Sequence, residues 1–327
     1  MWLSKSTKSL IYALCRTMIL IIVFYFIIKW ILRTAGYRGP VCDRYRINCY
    51  TIEGFSASQW SGPPYISGGA FKALCDYNID NRYSLIPYDD AIEEGSRVFM
   101  KVNDIPSFLE DPPSVKVTVV ISNSDEEFDD TLYKQIQPYV SQVFAINCSA
   151  SKANQIPIGF RDDGYTPHKD LTDILNDSNK SGEKTTLCLV NFLVETNGGE
   201  RQRALDRFTG QSWATIDQSY LNYGLQKATV FTIPETIQKR LEYYARLKRT
   251  KFVVCPPGRG MDTHRVYETL FFGGIPIIKS SFLDPMYKKL GGCWIIHDWS
   301  EVTEESCAQR WASRAGPIRI DPSHWLK

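Results

Sequence analysis

The chain has 327 residues and an almost even balance of 38 lysines and arginines against 36 aspartates and glutamates, a formal net charge of +2. That balance supplies no broad basic field, so a nucleic acid is excluded as a principal partner. The length leaves room for an apolar N-terminal segment and two compact domains of modest size.

Residues 1–9 read as a short tail, and 10–32 as one membrane-spanning helix rich in Ile, Leu, Phe, Val and Tyr. As a helix this segment would extend about 34 Å against a hydrocarbon core of roughly 30 Å. Arg16 and Lys29 fall inside it and must snorkel toward the interfaces, which shortens the clean apolar run to Thr17–Ile28. A cleaved signal peptide would want a better small-residue site than Thr34-Ala-Gly36, and a core helix is rarely so uniformly apolar, so a retained anchor is expected. Lys29, Arg33, Arg38, Arg44 and Arg46 at or after the span outnumber Lys5 and Lys8 before it, which opposes a lumenal C-terminal domain. Three glycosylation sequons, at Asn147, Asn176 and Asn179, point the other way.

Residues 33–64, rich in Gly, Ser, Pro and Arg, read as a stem. A first domain is expected over 65–180, with strands at Ser96–Lys101, Val115–Ile121 and Val143–Ile146 and a helix over Asp129–Tyr139. The polar stretch Lys169–Lys184 serves as a surface linker to a second domain over 181–327. That domain opens with a buried strand, Thr185–Val194, followed by a turn and a helix bearing Arg201, Arg203 and Arg207. Strands alternating with helices indicate an α/β fold, two open sheets facing one another with ligands at the carboxyl ends of the strands. Trp311–Lys327 reads either as a final helix crossing back to the first domain or as a short tail.

Of nine cysteines one, Cys15, lies in the apolar segment. Cys188 and Cys255 sit in apolar runs and are expected as buried thiols, whereas Cys42, Cys49 and Cys75 lie in turn-rich sequence and could pair in an oxidising compartment. The four histidines, at 168, 264, 297 and 324, are too scattered to suggest zinc.

The densest signal is Lys251–Ile278, which spells strand, glycine-bearing turn, helix and second strand without a gap. Pro256 and Pro257 stop the first strand, Asp262 or Thr263 can cap the helix, and Gly273 supplies a left-handed stop. Gly258 and Gly260 let the turn point backbone N–H groups at a guest, where the helix dipole places roughly half a positive charge. Arg265 and Glu268, three apart, share one face, a guanidinium for a diphosphate and a carboxylate for ribose hydroxyls. An ordinary strand and helix with a solvated Arg265–Glu268 pair is the bland alternative.

Taken whole, Pro256-Pro-Gly-Arg-Gly-Met-Asp-Thr-His-Arg-Val-Tyr-Glu268 followed by Gly274-Ile-Pro-Ile-Ile278 closely resembles the donor-binding signature of exostosin-like glycosyltransferases, glycosyltransferase family 47 and its relatives. Similarity extends to Val190–Asn197 with Glu200-Arg201, and to Trp294–Thr303. The family commonly has Trp, Ala and a small polar residue where this chain has Tyr267, Thr269 and Arg259. The resemblance implies a GT-B-like fold of two Rossmann-like domains facing a cleft, preceded by the single transmembrane helix. It also implies a type II protein with its catalytic domain in the Golgi or ER lumen. On this basis Asn191, Arg201, Gly258, Gly260, Asp262, His264, Arg265 and Glu268 are candidate donor-binding residues. Asn191 reads equally as a strand-end residue, and His264 as a packed histidine that orients the loop.

The expected function is transfer of a sugar from a nucleotide-sugar, UDP-linked, to a glycan or glycoprotein hydroxyl, with inversion and without a cofactor. Such transfer needs a base for the acceptor proton and charge stabilisation of the leaving diphosphate. Candidate bases are Asp125, in the loop after the Val115 strand, and Asp162, after Ile156-Pro-Ile-Gly159. No Asp-x-Asp pair occurs to chelate a divalent ion on the donor, so no metal is expected. The alternative is a catalytically silent relative acting as partner subunit or glycan-binding module of a transferase complex, as a homo- or hetero-oligomer. A dinucleotide enzyme is disfavoured by the missing Gly-x-Gly-x-x-Gly.

Overall fold

The computed structural model describes residues 66–79, 92–161, 183–217, 233–314 and 322–327. The expected anchor, the stem, Asp162, Cys42, Cys49 and the sequons at Asn176 and Asn179 lie outside the described residues. Among the described residues no helix is long and apolar enough to cross a membrane.

The fold is mixed α/β with two five-stranded, all-parallel sheets. The first half runs α1 (Gly68–Ala73), β1 (Tyr77–Asn78), β2 (Arg97–Met100), α2 (Ile105–Glu110), β3 (Val117–Ile121), α3 (Asp130–Ile136), β4 (Val140–Ala145) and β5 (Asn154–Gln155). The second runs β6 (Thr186–Val190), α4 (Gly198–Phe208), β7 (Ala214–Ile216), α5 (Ile233–Lys248), β8 (Thr250–Val254), α6 (His264–Phe271), β9 (Ile275–Lys279), α7 (Asp284–Leu290), β10 (Trp294–Ile296) and α8 (Glu304–Ala312).

The two sheets are wound differently. The first follows chain order, β1-β2-β3-β4-β5. Right-handed crossovers that all step the same way put their helices on one face. Accordingly Ile105 and Phe108 of α2 and Ile136 of α3 pack with Val98, Met100, Val119, Ile121 and Val143. The opposite face, Phe99, Val120 and Phe144, clusters with Phe71, Ile156, Ile158 and Phe160 of the first half and with residues of the second half. Along β3 the apolar side chains alternate between these two clusters, while an irregularity in the β3–β4 pairing at Val117/Thr118 lets Val140 and Val143 share one of them.

The second sheet has the order β10-β9-β8-β6-β7, with a reversal between β6 and β8. This is a doubly wound arrangement, helices on both faces, and its switch point opens a crevice at the carboxyl ends of β6 and β8. One face carries Cys188, Val190, Phe252, Val254, Ile275 and Ile277 against α4 and α8. The other, through Leu189, Val253 and Ile278, joins the cluster that reaches Phe99, Val120 and Phe144.

The halves therefore share one continuous core instead of hanging on a linker. Phe160 meets Phe271 edge-on with ring centroids 5.6 Å apart, a pair worth about 0.5–1.5 kcal/mol beyond its area burial. The C-terminal segment is a tail that docks back: Trp325, 2% exposed, joins Ile66 and Phe71 in this core, and Lys289 lies 4.5 Å from its ring centre.

Two expectations are corrected. Cys75 is a buried free thiol whose Sγ–H donates to the Phe71 carbonyl at 3.2 Å, because Phe71 and Cys75 stand one turn apart at the end of α1. The sequon asparagine Asn147 is 1% exposed and held on both sides by hydrogen bonds, so the folded chain offers no glycan acceptor there.

Candidate functional site

A cleft of about 700 Å³ opens at the switch point, bordered by Leu193 and Thr196 after β6, Gly258–Gly260 after β8, the start of α6, and Asp125 and Arg161 of the first half. Among the described residues six arginines line it, at 161, 201, 240, 246, 259 and 265, together with Lys239, and the carboxylates Asp125, Asp217, Glu242, Asp262 and Glu268. Cations predominate, which favours an anionic guest.

The proline pair ends β8, and the chain closes a small turn in which the Gly258 N–H donates to the Gly260 carbonyl at 3.0 Å. The expectation that this N–H points at a guest is thereby corrected: the turn spends it on itself. Each glycine sits at a close approach. A Cβ at Gly258 would lie 2.9 Å from Nη2 of Arg201, and one at Gly260 would lie 2.7 Å from Nδ2 of Asn147. Helix α6 then begins without a side-chain cap.

Asp262 was expected as a cap or donor contact, and this is corrected. Its carboxylate is 3% exposed and accepts the Ile158 and Thr263 N–H groups, each at 2.8 Å, and the hydroxyls of Tyr267 and Tyr287. Four donors saturate both oxygens. Burial pushes its pKa up while those hydrogen bonds pull it back. Asp262 thus anchors the turn to the strand-end segment of the first half, and the Tyr267 hydroxyl is part of that anchor.

Arg201 projects from the first turn of α4, whose cap Asn197 accepts the Glu200 N–H and donates to the Gly258 carbonyl at 3.2 Å. The Arg201 guanidinium donates through Nε to Pro257 at 2.9 Å and through Nη1 to Leu193 at 2.8 Å, and lies over the Phe192 ring. Burial, and then the like charge of Arg265, lower its pKa to about 10. Arg201 and Arg265 both line the crevice, two like charges on one cleft wall.

Arg265 donates to Oδ1 of Asn191 at 3.4 Å; Asn191 in turn donates to Oδ2 of Asp217 at 2.7 Å, and Asp217 pairs with Arg246. Asn191 is 1% exposed, so it acts here as the connector that aims Arg265. Glu268, 8% exposed, lines the same cleft and accepts the Tyr243 hydroxyl at 3.0 Å. His264 has Nδ1 2.7 Å from the Gly159 carbonyl. A carbonyl only accepts, so Nδ1 carries the proton and the ring latches the helix start to the first half. Asp125 borders the cleft from the opposite wall.

The structure thus brings Asp125, Asn191, Arg201, Gly258, Gly260, Asp262, His264, Arg265 and Glu268 into one neighbourhood. Sequence reasoning missed Tyr243, Asp217 and Arg246, and read Asn147 only as a sequon. The first three belong to no local motif, and only the cationic run of α5 hinted that this helix faces a charged space. Among the described residues no group of three His, Cys, Asp or Glu side chains is arranged to hold a metal ion. By sequence the chain matches no protein-family model and no curated protein.

Proposed function

We propose that the cleft binds a nucleotide-sugar, UDP-linked, and that the chain transfers its sugar to a hydroxyl of a glycan or glycoprotein with inversion, as an exostosin-like, GT-B-type enzyme tethered by residues 10–32 in the Golgi or ER membrane. The observation that carries this reading is that Arg201 and Arg265 line one switch-point crevice, beside a glycine turn and an uncapped helix start. Such a place suits a diphosphate: fixed guanidiniums, a helix dipole and close backbone approach. Glu268, braced by Tyr243 one turn further along α6, supplies an acceptor for ribose hydroxyls.

In the proposed step the acceptor oxygen attacks the anomeric carbon from the face opposite the diphosphate. The new C–O bond forms as the bond to the diphosphate oxygen breaks, and that electron pair leaves with the diphosphate. Arg265 and the α6 N-terminus stabilise the departing charge. The acceptor proton passes to a carboxylate, for which Asp125 on the opposite wall is the described candidate and Asp162 the other.

Calorimetry with UDP on the detergent-solubilised full-length chain, beside Arg265→Ala and Glu268→Ala, tests the reading, followed by a hydrolysis screen of nucleotide-sugars. Saturable binding weakened in both variants supports it. A folded wild type that binds no UDP overturns it. Binding without turnover of any donor favours a silent partner subunit instead.

A further inference from the structure

We propose that Asn147 is a positioning residue whose single carboxamide clamps the Asp125 loop to the Gly258–Asp262 turn, so that the two walls of the cleft hold a fixed separation. The catalytic consequence rests on the reading that Asp125 and Arg265 face a common substrate; the clamp itself does not.

Asn147 follows β4 and adopts a left-handed backbone with φ of 46°, a conformation that asparagine tolerates better than most residues. Its backbone is fixed by the neighbouring strand end, its carbonyl accepting the Phe128 N–H at 3.1 Å. The side chain therefore leaves the sheet in a set direction. Nδ2 donates to the Ser124 carbonyl at 3.2 Å, and Oδ1 accepts the Asp262 N–H at 2.8 Å. Because a carbonyl can only accept and a backbone N–H can only donate, these partners dictate which end of the amide is which. An aspartate in its place would set oxygen against the Ser124 carbonyl.

The packing makes the clamp tight. A Cβ on Gly260 would meet Nδ2 of Asn147 at 2.7 Å and the Asp125 carbonyl at 3.2 Å, so the turn and the Asp125 loop already touch. On the far side Ser124 is tied down as well, its Oγ accepting the Glu126 N–H at 3.2 Å. Asp262 passes the constraint into α6 through its saturated carboxylate. One amide thus links the residue before Asp125 to the residue three before Arg265, across a sequence separation that no local motif spans.

The test uses the full-length chain in detergent as wild type, Asn147→Gly and Asn147→Asp. Glycine accepts the left-handed backbone, so only the carboxamide is lost. Hydrogen exchange of the unliganded protein should accelerate about tenfold in peptides covering both 122–128 and 256–264, with β3 and β8 unchanged. Faster exchange in one loop alone, or in neither, overturns the clamp. With a hydrolysed donor in hand, Asn147→Gly should lower kcat about thirtyfold, as expected for sub-ångström misplacement. The donor KM should stay within about threefold, and in an Asp125→Asn background the further loss should be under about threefold. Additive losses, or a change confined to KM, overturn the positioning role. If the wild type turns over no donor, the transferase reading fails while the exchange data still decide the clamp.

Discussion

The Tyr243 hydroxyl donates to Oε2 of Glu268 at 3.0 Å, so α5 sets the rotamer of the one cleft carboxylate that rises from α6. Glu268 is 8% exposed, and without that phenol its oxygen would lose a buried partner. Tyr243→Phe should therefore weaken UDP binding about threefold to tenfold by loosening the carboxylate, a loss of roughly one hydrogen bond. Glu268→Gln should weaken it further. Calorimetry on both variants decides the order, and equal affinity to wild type would remove Glu268 from the nucleotide site.

Arg201 and Arg265 should separate cleanly. Arg201 holds the Leu193 and Pro257 carbonyls and stacks over Phe192, so Arg201→Ala should cost about 2–4 kcal/mol of stability by stranding those groups. Arg265→Ala should leave thermal unfolding nearly unchanged and reduce UDP affinity about a hundredfold, in line with loss of charge-assisted phosphate contacts. Thermal melts beside calorimetry read both quantities in one set of samples.

Gly159 has φ of 72°, and a Cβ there would sit 2.1 Å from the Ile66 carbonyl oxygen, a backbone atom that cannot step aside. Gly159→Ala should destabilise by more than about 3 kcal/mol and loosen the His264 latch that uses the same residue's carbonyl. Gly95 has φ of 82° with nothing within 4 Å, so Gly95→Ala should cost only about 1 kcal/mol, the left-handed penalty alone. Denaturant titration of the pair separates steric from conformational cost.

Lys184 donates to the Leu247 carbonyl at 3.2 Å and to the Phe272 carbonyl at 2.6 Å, at the ends of α5 and α6. Burial, with the Arg314 charge behind it, lowers its pKa to about 8 from 10.5. Between those values the unfolded chain binds more protons than the folded one, so this group's contribution to stability rises with pH. Opposing it, burial raises the thiols of Cys148 to about 11 and of Cys255 and Cys307 to about 12, which costs stability once unfolded thiols ionise near pH 9. The difference between wild type and Lys184→Gln isolates the lysine: it should move in favour of wild type from pH 8 to 10.5. A flat difference in urea titrations at pH 7.5, 9 and 10 would refute the assignment.

The strand, turn and helix over 250–271 were legible because the pattern is local: an apolar run, two prolines, glycines, and a polar face at helical spacing. The Gly273 stop, with φ of 70°, and the buried thiols of Cys188 and Cys255 follow from the same short-range chemistry. Most other boundaries differ from expectation by a few residues, as with β4, which begins at Val140 and not Val143. Arg265 and Glu268 could be paired from sequence because three residues along a helix is a geometric fact.

Roles that depend on who sits across the fold could not be read. Asp262 looked like a helix cap but is claimed by Ile158, Tyr267 and Tyr287, the first of them 104 residues away. Asn147 looked like a glycan acceptor and is an internal clamp. The one-way winding of the first sheet, whose face with Phe99, Val120 and Phe144 joins a core shared by both halves, is a property of strand order, and strand order has no local signature. Sequence alone determined the strand, turn and helix around Gly258–Gly260 and the strands and helices with a clear local pattern, because these arise from neighbours along the chain. Only the tertiary structure decided which polar groups face the cleft and which are consumed in holding its two walls together, because a buried donor or acceptor is satisfied by whatever partner folding brings within 3 Å.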